Sequence, residues 1–409
     1  YKLKRSFLFL QGPCTPFFER LAQALKTQGH EIHQVHFCAG DIFYGRGIAA
    51  SWFNKSASHL SDFLQTVYQR HGITDQILFG DQRPVHQPAV QLAKRLGIRN
   101  HVFEEGYFRP RWITLEREGV NNHSLLPHDP QWYWEVGGRL PDDPFTVAFK
   151  SSFVDRAVHD VAYHVAGLLN PLLFPRYKNH AGISAPVEYA GYIKRLTHLR
   201  FIREREKIRA RKIALGKAPF YVLPLQLNTD AQIRHHSQFS DMKELIEHVL
   251  ASFAQHAPTE SHIVIKNHPL DIGWMNYQKI IAGCEKRFDI AGRVHYLEEG
   301  GWAMLGSNAQ GVVTVNSTAG TVALEYGVPL KALSDPIYNL PGLTCQLPLD
   351  DFWKAGTPPN VELFKRFRRC VLHATQVNGG FYSDEAIALA VQNSVPVLTA
   401  EQSPLERLL

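Results

Sequence analysis

Arg99-Asn100-His101-Val102-Phe103-Glu104-Glu105-Gly106 is an apolar run that ends in two carboxylates and a glycine. It reads as a buried strand with a site at its mouth, because in an open α/β sheet ligands bind outside the strand carboxyl ends. Three other stretches have this form. Ser261 to Ile265 leads into Lys266-Asn267-His268-Pro269, Gln310 to Val315 leads into Asn316-Ser317-Thr318-Ala319-Gly320, and Tyr221-Val222-Leu223 precedes Gln226 to Asp230. A carboxylate pair, another acid, a Lys with a His, and a hydroxyl cluster would converge there on one anionic ligand.

The surrounding segments alternate between strand and helix. Phe7 to Leu10, Glu31 to Phe37, Gln76 to Phe79 and Arg99 to Phe103 read as strands, with helices over Phe17 to Leu25 and Val85 to Leu96. Tyr221 to Leu225, His262 to Ile265, Val294 to Tyr296, Gly311 to Val315 and Pro329 to Leu333 form a second such series, with helices near Met242 to Ala254, Trp274 to Cys284 and Thr318 to Glu325. Strands separated by helices predict parallel sheets with crossovers, here in two Rossmann-like domains with a cleft between them. The expected division is a first domain over 1–217 with a helical insertion over 145–217, a second over 218–350, and a helical tail over 351–409 packing back on the first.

Composition narrows the classes. A chain of 409 residues exceeds one ordinary core. An apolar fraction of 44% and a charged fraction of 20% fit an ordered globular protein. No run of about 18 apolar residues is present, so no membrane span is expected. The apolar stretch Phe7 to Leu10 is short for a secretion signal, and a cytoplasmic protein is expected. The five cysteines lack a CxxC pair, which argues against a disulfide framework or zinc site. The 21 histidines show no HExxH spacing, and His235-His236 lacks a third ligand nearby, so no metal is expected. Without a P-loop or a GxSxG elbow, NTPase and serine-hydrolase readings fall away. The net charge of +6 permits an anionic partner without requiring nucleic acid.

Each strand-end motif has a chemical and a plain reading. Glu104 and Glu105 would repel in a partly buried site, raising one pKa toward acid/base use, with Gly106 allowing a sharp turn; the plain reading is a solvated acid pair. Pro269 holds His268 extended, so that Lys266 and His268 can meet a phosphate; the plain reading is a bonded loop His. Ser317 or Thr318 can cap a helix whose start also suits an anion. Asp230 could be a nucleophile or substrate ligand, or a turn residue. Lys194 to Lys217 holds ten Lys or Arg and two acids, interleaved with Leu196, Leu199, Ile202 and Ile213. Such a segment can lie on an anionic membrane or be a solvated helix face.

Together these motifs resemble those of bacterial glycosyltransferases that use CMP-sugars. Phe9-Leu10-Gln11-Gly12-Pro13, Glu104-Glu105-Gly106-Tyr107-Phe108-Arg109-Pro110, Gln226 to Asp230 and Val315 to Leu324 are similar to the capsule polysaccharide biosynthesis proteins that act as β-Kdo transferases. The resemblance implies a GT-B architecture. It implies CMP-Kdo as donor, no cofactor, and retaining transfer to a (lyso)phosphatidylglycerol that starts the Kdo linker of a Gram-negative capsule. It places Asp230 as nucleophile and Glu105 as acid/base, or the reverse, with Glu104 beside them. Lys266, His268, Pro269, Asn316, Ser317 and Thr318 are expected on the nucleotide. Gln11, Gly12, Gly106, Arg109 and Gln226 are expected on the acceptor or cleft side. The enzyme would sit at the inner face of the inner membrane, docked through Lys194 to Lys217, beside capsule biosynthesis and export proteins. Alternatives are an inverting sialyltransferase, a polyol-phosphate polymerase, or a non-catalytic capsule-assembly scaffold.

Overall fold

Ser6-Phe7-Leu8-Phe9 is buried along its whole length, as a central strand covered on both faces must be. The computed structural model describes residues 3–150, 153–178, 185–227, 237–269, 271, 273 and 275–409. In chain order the strands are β1 (Ser6–Phe9), β2 (Glu31–His36), β3 (Ala50–Trp52), β4 (Asp75–Phe79), β5 (Arg99–Glu105), β6 (Trp112–Arg117), β7 (Phe220–Pro224), β8 (His262–Lys266), β9 (Val294–Leu297), β10 (Gly311–Thr314), β11 (Leu330–Ala332) and β12 (Gln376–Asn378). They form a seven-stranded sheet ordered β12-β6-β5-β4-β1-β2-β3 and a five-stranded sheet ordered β11-β10-β7-β8-β9. The chain is thus an α/β protein of two Rossmann-like units.

The first unit comprises Tyr1–Leu126, Leu140–His180 and Arg369–Leu409. Its strands β1 to β5 are parallel, while β6 runs antiparallel to β5 and β12 antiparallel to β6. Strand alternation sends Phe7 and Phe9 to one core, with Phe17, Leu21 and Phe103, and Leu8 and Leu10 to another, with Val35, Leu64 and Leu92. The C-terminal helix Asp384–Thr399 joins the first of these cores through Ile387, Ala390 and Leu398. At the start of β4 Asp75 is fully buried; its carboxylate takes Arg5 Nε at 3.0 Å, Arg5 Nη2 at 2.8 Å and His101 Nε2 at 2.7 Å. The other guanidinium nitrogen, Nη1, donates to Leu398 O and Ala400 O at 2.9 and 3.0 Å.

The second unit comprises Pro127–Arg139 and Ala181–Arg368. All its strand pairs are parallel. Tyr221, Leu223 and Leu225 pack on Leu245, Val249 and Phe253, while Val222, Val264 and Val312 are fully buried. Counted from its own first strand, this sheet repeats the winding of β1 to β5: third, second, first, fourth, fifth. The order reverses between β1 and β4 in one unit and between β7 and β10 in the other, and such reversals are where α/β sheets open to ligands.

Several elements differ from the sequence expectation. β6 and β12 extend the first sheet beyond its parallel set, because the turn after Gly106 folds β6 back along β5. The helix expected from Trp274 begins at Tyr277, where Asn276 Oδ1 accepts the Lys279 N–H at 3.0 Å and caps it. The segment 145–217 is helical, over Phe153–Ala166, Asn170–Leu173 and Ala185–Ala214. It is shared between the units, which divide at His180. The chain returns to the first unit within the helix Val361–Thr375.

Candidate functional site

In the second unit the two strands at the reversal both lead into amide side chains. Gln226 Nε2 donates to Asn316 Oδ1 at 3.1 Å, and both residues are buried. This bond ties the segment after β7 to the segment after β10. Gln226 Oε1 is buried with no hydrogen-bond partner among the described residues. An acceptor of this kind costs about 1–3 kcal/mol unless a donor or an ordered water reaches it. On the other side of β7, Pro224 pairs with Lys266 and the Leu225 N–H donates to Lys266 O at 2.8 Å. Gln226, Lys266 and Asn316 therefore follow or end three adjacent strands, each about 4.8 Å from the next.

The Lys266-Asn267-His268-Pro269 loop is held by the residue between its two cations. Asn267 is buried; its Nδ2 donates to Asp271 Oδ2 at 3.0 Å and its Oδ1 accepts the His268 N–H at 2.8 Å. The Asp271 N–H then bonds His268 O at 3.1 Å, closing a tight turn that leaves His268 half-buried and Pro269 exposed. Burial lowers the Lys266 pKa; Glu299 opposes the shift and Arg195 adds to it. An anion at Lys266 would offset the cost of its charge.

After β10 the expected capping takes another form. Thr318 occupies the N-cap without a side-chain bond, and Ser317 Oγ accepts the Ala319 N–H at 3.1 Å. The helix Ala319–Glu325 has only seven residues, so little dipole accumulates at its start. Ser317 is fixed through its carbonyl, which accepts the Tyr338 hydroxyl at 2.7 Å. Asp230 and the His235-His236 pair lie outside the described residues. Among the described residues no group of three or more His, Cys, Asp and Glu side chains is placed to hold a metal ion.

Sequence reading passed over Glu298-Glu299-Gly300, although it directly follows β9 and repeats the Glu-Glu-Gly form of Glu104-Glu105-Gly106 at the end of β5. These acids are braced by the helix Ala185–Ala214. Arg195 Nη1 lies 3.3 Å from Glu298 Oε1, His198 Nε2 lies 2.6 Å from Glu298 Oε2, and Arg203 Nε lies 2.9 Å from Glu299 Oε1.

In the first unit, Glu104 and Glu105 lie within β5 rather than after it. Consecutive strand residues face opposite ways, so the expected repelling pair does not form. Glu105 Oε1 accepts the Tyr382 hydroxyl at 2.9 Å, whereas Glu104 Oε1 accepts the Glu105 N–H at 3.0 Å. Tyr382, a second residue the sequence did not reveal, has its pKa pushed up by burial and by Glu105, against the guanidinium of Arg156. At the end of β1, Gln11 is buried and its Nε2 donates to Asp41 Oδ2 and Tyr177 Oη at 3.2 and 3.3 Å. Its N–H donates to His86 Nε2 at 3.1 Å, and His86 Nδ1–H donates to Gly80 O at 2.8 Å, which fixes the His86 tautomer. Gly12 makes room for Phe18, whose ring would lie 2.6 Å from a Cβ there. Arg109 is exposed in the turn after β5, 3.4 Å from Gly106 O through Nε.

The shifted carboxyl near this motif is Glu116 on β6. Burial pushes it up to about 7 from an ordinary 4.5; the Ser124 and Tyr107 hydroxyls, both at 2.5 Å, pull the other way, and Asp81 adds to the rise. The folded chain keeps this proton where the unfolded chain releases it. Stability is therefore expected to fall as pH rises from about 4.5 to 7. Glu116→Gln cannot titrate and should flatten that part of a denaturation profile; an unchanged slope would show that Glu116 is ionised in the folded protein.

The likeness to known proteins follows both sheets. The profile of the family described as capsule polysaccharide biosynthesis protein matches residues 74–382. The capsule polysaccharide export protein KpsS of Escherichia coli is 35% identical over 381 residues, 92% of this chain and 97% of that protein. The capsule polysaccharide modification protein LipB of Neisseria meningitidis serogroup B is 35% identical over 389 residues, covering 92% of each chain. Among solved structures, the β-Kdo 2,7-transferase of Thermosulfurimonas dismutans KpsC aligns over 96% of this chain and 99% of its own, at 15% identity and a TM-score of 0.43. The family match runs from β4 through β12 and takes in the motifs at Glu104, Gln226, Lys266 and Asn316, so the chain belongs to the capsule polysaccharide biosynthesis protein family.

Proposed function

We propose that this chain is a retaining glycosyltransferase that moves Kdo from CMP-Kdo to phosphatidylglycerol or its lyso form, starting the Kdo linker of a capsular polysaccharide. The observation that carries the reading is the buried Gln226–Asn316 bridge at the reversal of the second sheet, beside Lys266 and the braced His268. Gln226 joins Asn316 here, so it is assigned to the nucleotide rather than the acceptor. Lys266 and His268 meet the CMP phosphate, and Ser317 and Thr318 donate to it. Asp230 attacks the anomeric carbon and displaces CMP. Glu105, oriented by Tyr382, takes the acceptor proton as the acceptor hydroxyl displaces Asp230, and two inversions give retention. Arg109 is the proposed contact for the acceptor phosphate. The family and the names of its capsule relatives support the pathway; donor, acceptor and stereochemistry follow from the resemblance of the motifs to those of CMP-sugar transferases. The enzyme works peripherally at the inner face of the inner membrane, and no helix among the described residues is long and apolar enough to cross a membrane.

The test is incubation with CMP-Kdo and a fluorescent phosphatidylglycerol, followed by the mass and the anomeric NMR of the product. Peptide mapping after a rapid quench should find Kdo on Asp230. Turnover of CMP-sialate or CDP-glycerol in place of CMP-Kdo would overturn the donor, and no turnover of any donor would leave a binding role in capsule assembly. His268→Ala should weaken CMP binding by roughly 1.5–3 kcal/mol, about tenfold to a hundredfold, in calorimetry. Unchanged CMP affinity would remove His268 from the site.

A further inference from the structure

The helix Ala185–Ala214 has two unlike faces. Arg195, Leu199, Ile202, Glu206 and Ala210 recur every three or four residues and are buried in the second unit. The apolar face expected from sequence is thus divided, because Leu199 and Ile202 pack inward. Part of the positive charge is also engaged inside the unit, by Glu298 and Glu299 as described and by Glu206, whose Oε1 lies 2.8 Å from Arg209 Nη1. The opposite face is different. Ile193, Phe201 and Ile208 are 67%, 82% and 67% exposed, and Leu215, just past the helix end, is 65% exposed. Their spacing of eight, seven and seven residues puts them on one stripe, about 80° wide, along the helix. Lys194, Arg200, Arg211 and Lys212 flank that stripe, are exposed, and have no ion-pair partner among the described residues. The acid Glu204 on this face pairs with Lys207 at 3.4 Å.

We propose that this face docks on an anionic phospholipid bilayer, with Ile193, Phe201, Ile208 and Leu215 below the headgroups and the flanking cations on the lipid phosphates. The proposal deepens the functional reading above, since it places the enzyme on the bilayer that holds the acceptor. The collar of cations selects an anionic surface. The spacing selects a bilayer over a helical partner. A coiled-coil seam needs two apolar residues per heptad, and the intervening positions Thr197, Glu204 and Arg211 are polar. Isolated large side chains beside Lys and Arg suit shallow insertion, with the basic heads remaining at the headgroups.

The experiment is sedimentation of the full chain with phosphatidylglycerol–phosphatidylcholine vesicles and with phosphatidylcholine vesicles alone. The wild type should bind the first far better, and less so as salt rises. Phe201→Ser/Ile208→Ser should weaken binding by roughly tenfold or more with an unchanged melting temperature. Arg200→Glu/Arg211→Glu should lose the preference for the anionic vesicle. Undiminished binding by the serine variant, or no binding by the wild type, would overturn the proposal. So would a wild-type dimer that the serine variant converts to monomer, because the face would then belong to a second copy. Transfer from CMP-Kdo to a short-chain, water-soluble phosphatidylglycerol separates the two readings. Vesicle binding without transfer upholds the surface and refutes the reaction; transfer without vesicle binding does the reverse.

Discussion

Gly106→Ala is expected to remove transfer activity and to destabilise the protein by about 3 kcal/mol or more. A Cβ at this position would lie 2.1 Å from Trp112 O and 2.7 Å from its carbonyl carbon. Both are backbone atoms, so no rotamer change relieves the clash. The turn cannot simply open either. Glu105 pairs with Ile113, Thr114 Oγ1 donates to Glu105 O at 2.9 Å, and the Tyr107 N–H donates to Gln376 Oε1 at 3.0 Å. Relief requires the end of β5 to move, and Glu105 moves with it, away from Tyr382. A denaturant melt and a transfer assay check both parts. If Gly106→Ala retained wild-type stability and rate, the turn would be shown to yield freely and Glu105 to need no fixed position.

Asp75→Ala should cost about 3–5 kcal/mol of unfolding free energy, because it leaves the Arg5 guanidinium buried without its counter-charge. Asp75 is fully buried, and Arg5 is bound to it through two nitrogens. Burial alone would raise the Asp75 pKa, but His101, Thr74 and Arg5 together hold it below the ordinary 3.8. Burial keeps His101 neutral by lowering its pKa, so His101 acts as a donor and Arg5 carries the positive charge. The sign follows for pH: the stabilisation from Asp75 is present above pH 3.8 and is lost as pH falls through the lower folded value. Urea melts of Asp75→Ala and of Arg5→Met/Asp75→Leu check the origin of the effect. The double variant should recover much of the loss, since it removes both charges. A single-variant loss below about 1 kcal/mol would mean that water reaches Arg5.

Much of this architecture is legible before any coordinates. β1, β4, β5 and every strand of the second sheet are short, mostly apolar runs bounded by turn residues, and the parallel pairing follows from the helices between them. β12 is not legible in the same way. Gln376-Val377-Asn378 has no apolar run, and it becomes a strand only because Trp112, Ile113 and Thr114 offer a partner far away in sequence. The motifs at Gln226, Lys266 and Asn316 do lie at the ends of three adjacent strands, as their sequence form suggests. The expected carboxylate pairing is split, because β5 extends two residues further and puts Glu104 and Glu105 on opposite faces of its carboxyl end. Glu298-Glu299-Gly300 carried a readable signal. Tyr382 carried none, since its link to Glu105 spans 277 residues and exists only in the fold. The helix Ala185–Ala214 was recognisable as basic and amphipathic, but which apolar side chains turn inward depends on the surface it meets.

The first unit is assembled from segments on either side of the second in sequence, and this has a consequence for biosynthesis. A ribosome finishes Ala181–Arg368 before it delivers Arg369–Leu409. Until then β6 has an unpaired edge, Phe17 and Leu21 lack their cover from Ile387 and Leu398, and Arg5 has no carbonyls at Leu398 and Ala400 to bind. The nascent chain therefore holds a complete younger half and an incomplete older one, with a bare sheet edge prone to association. Premature termination before Arg369 would yield a species fit for chaperone capture or proteolysis rather than a smaller folded protein.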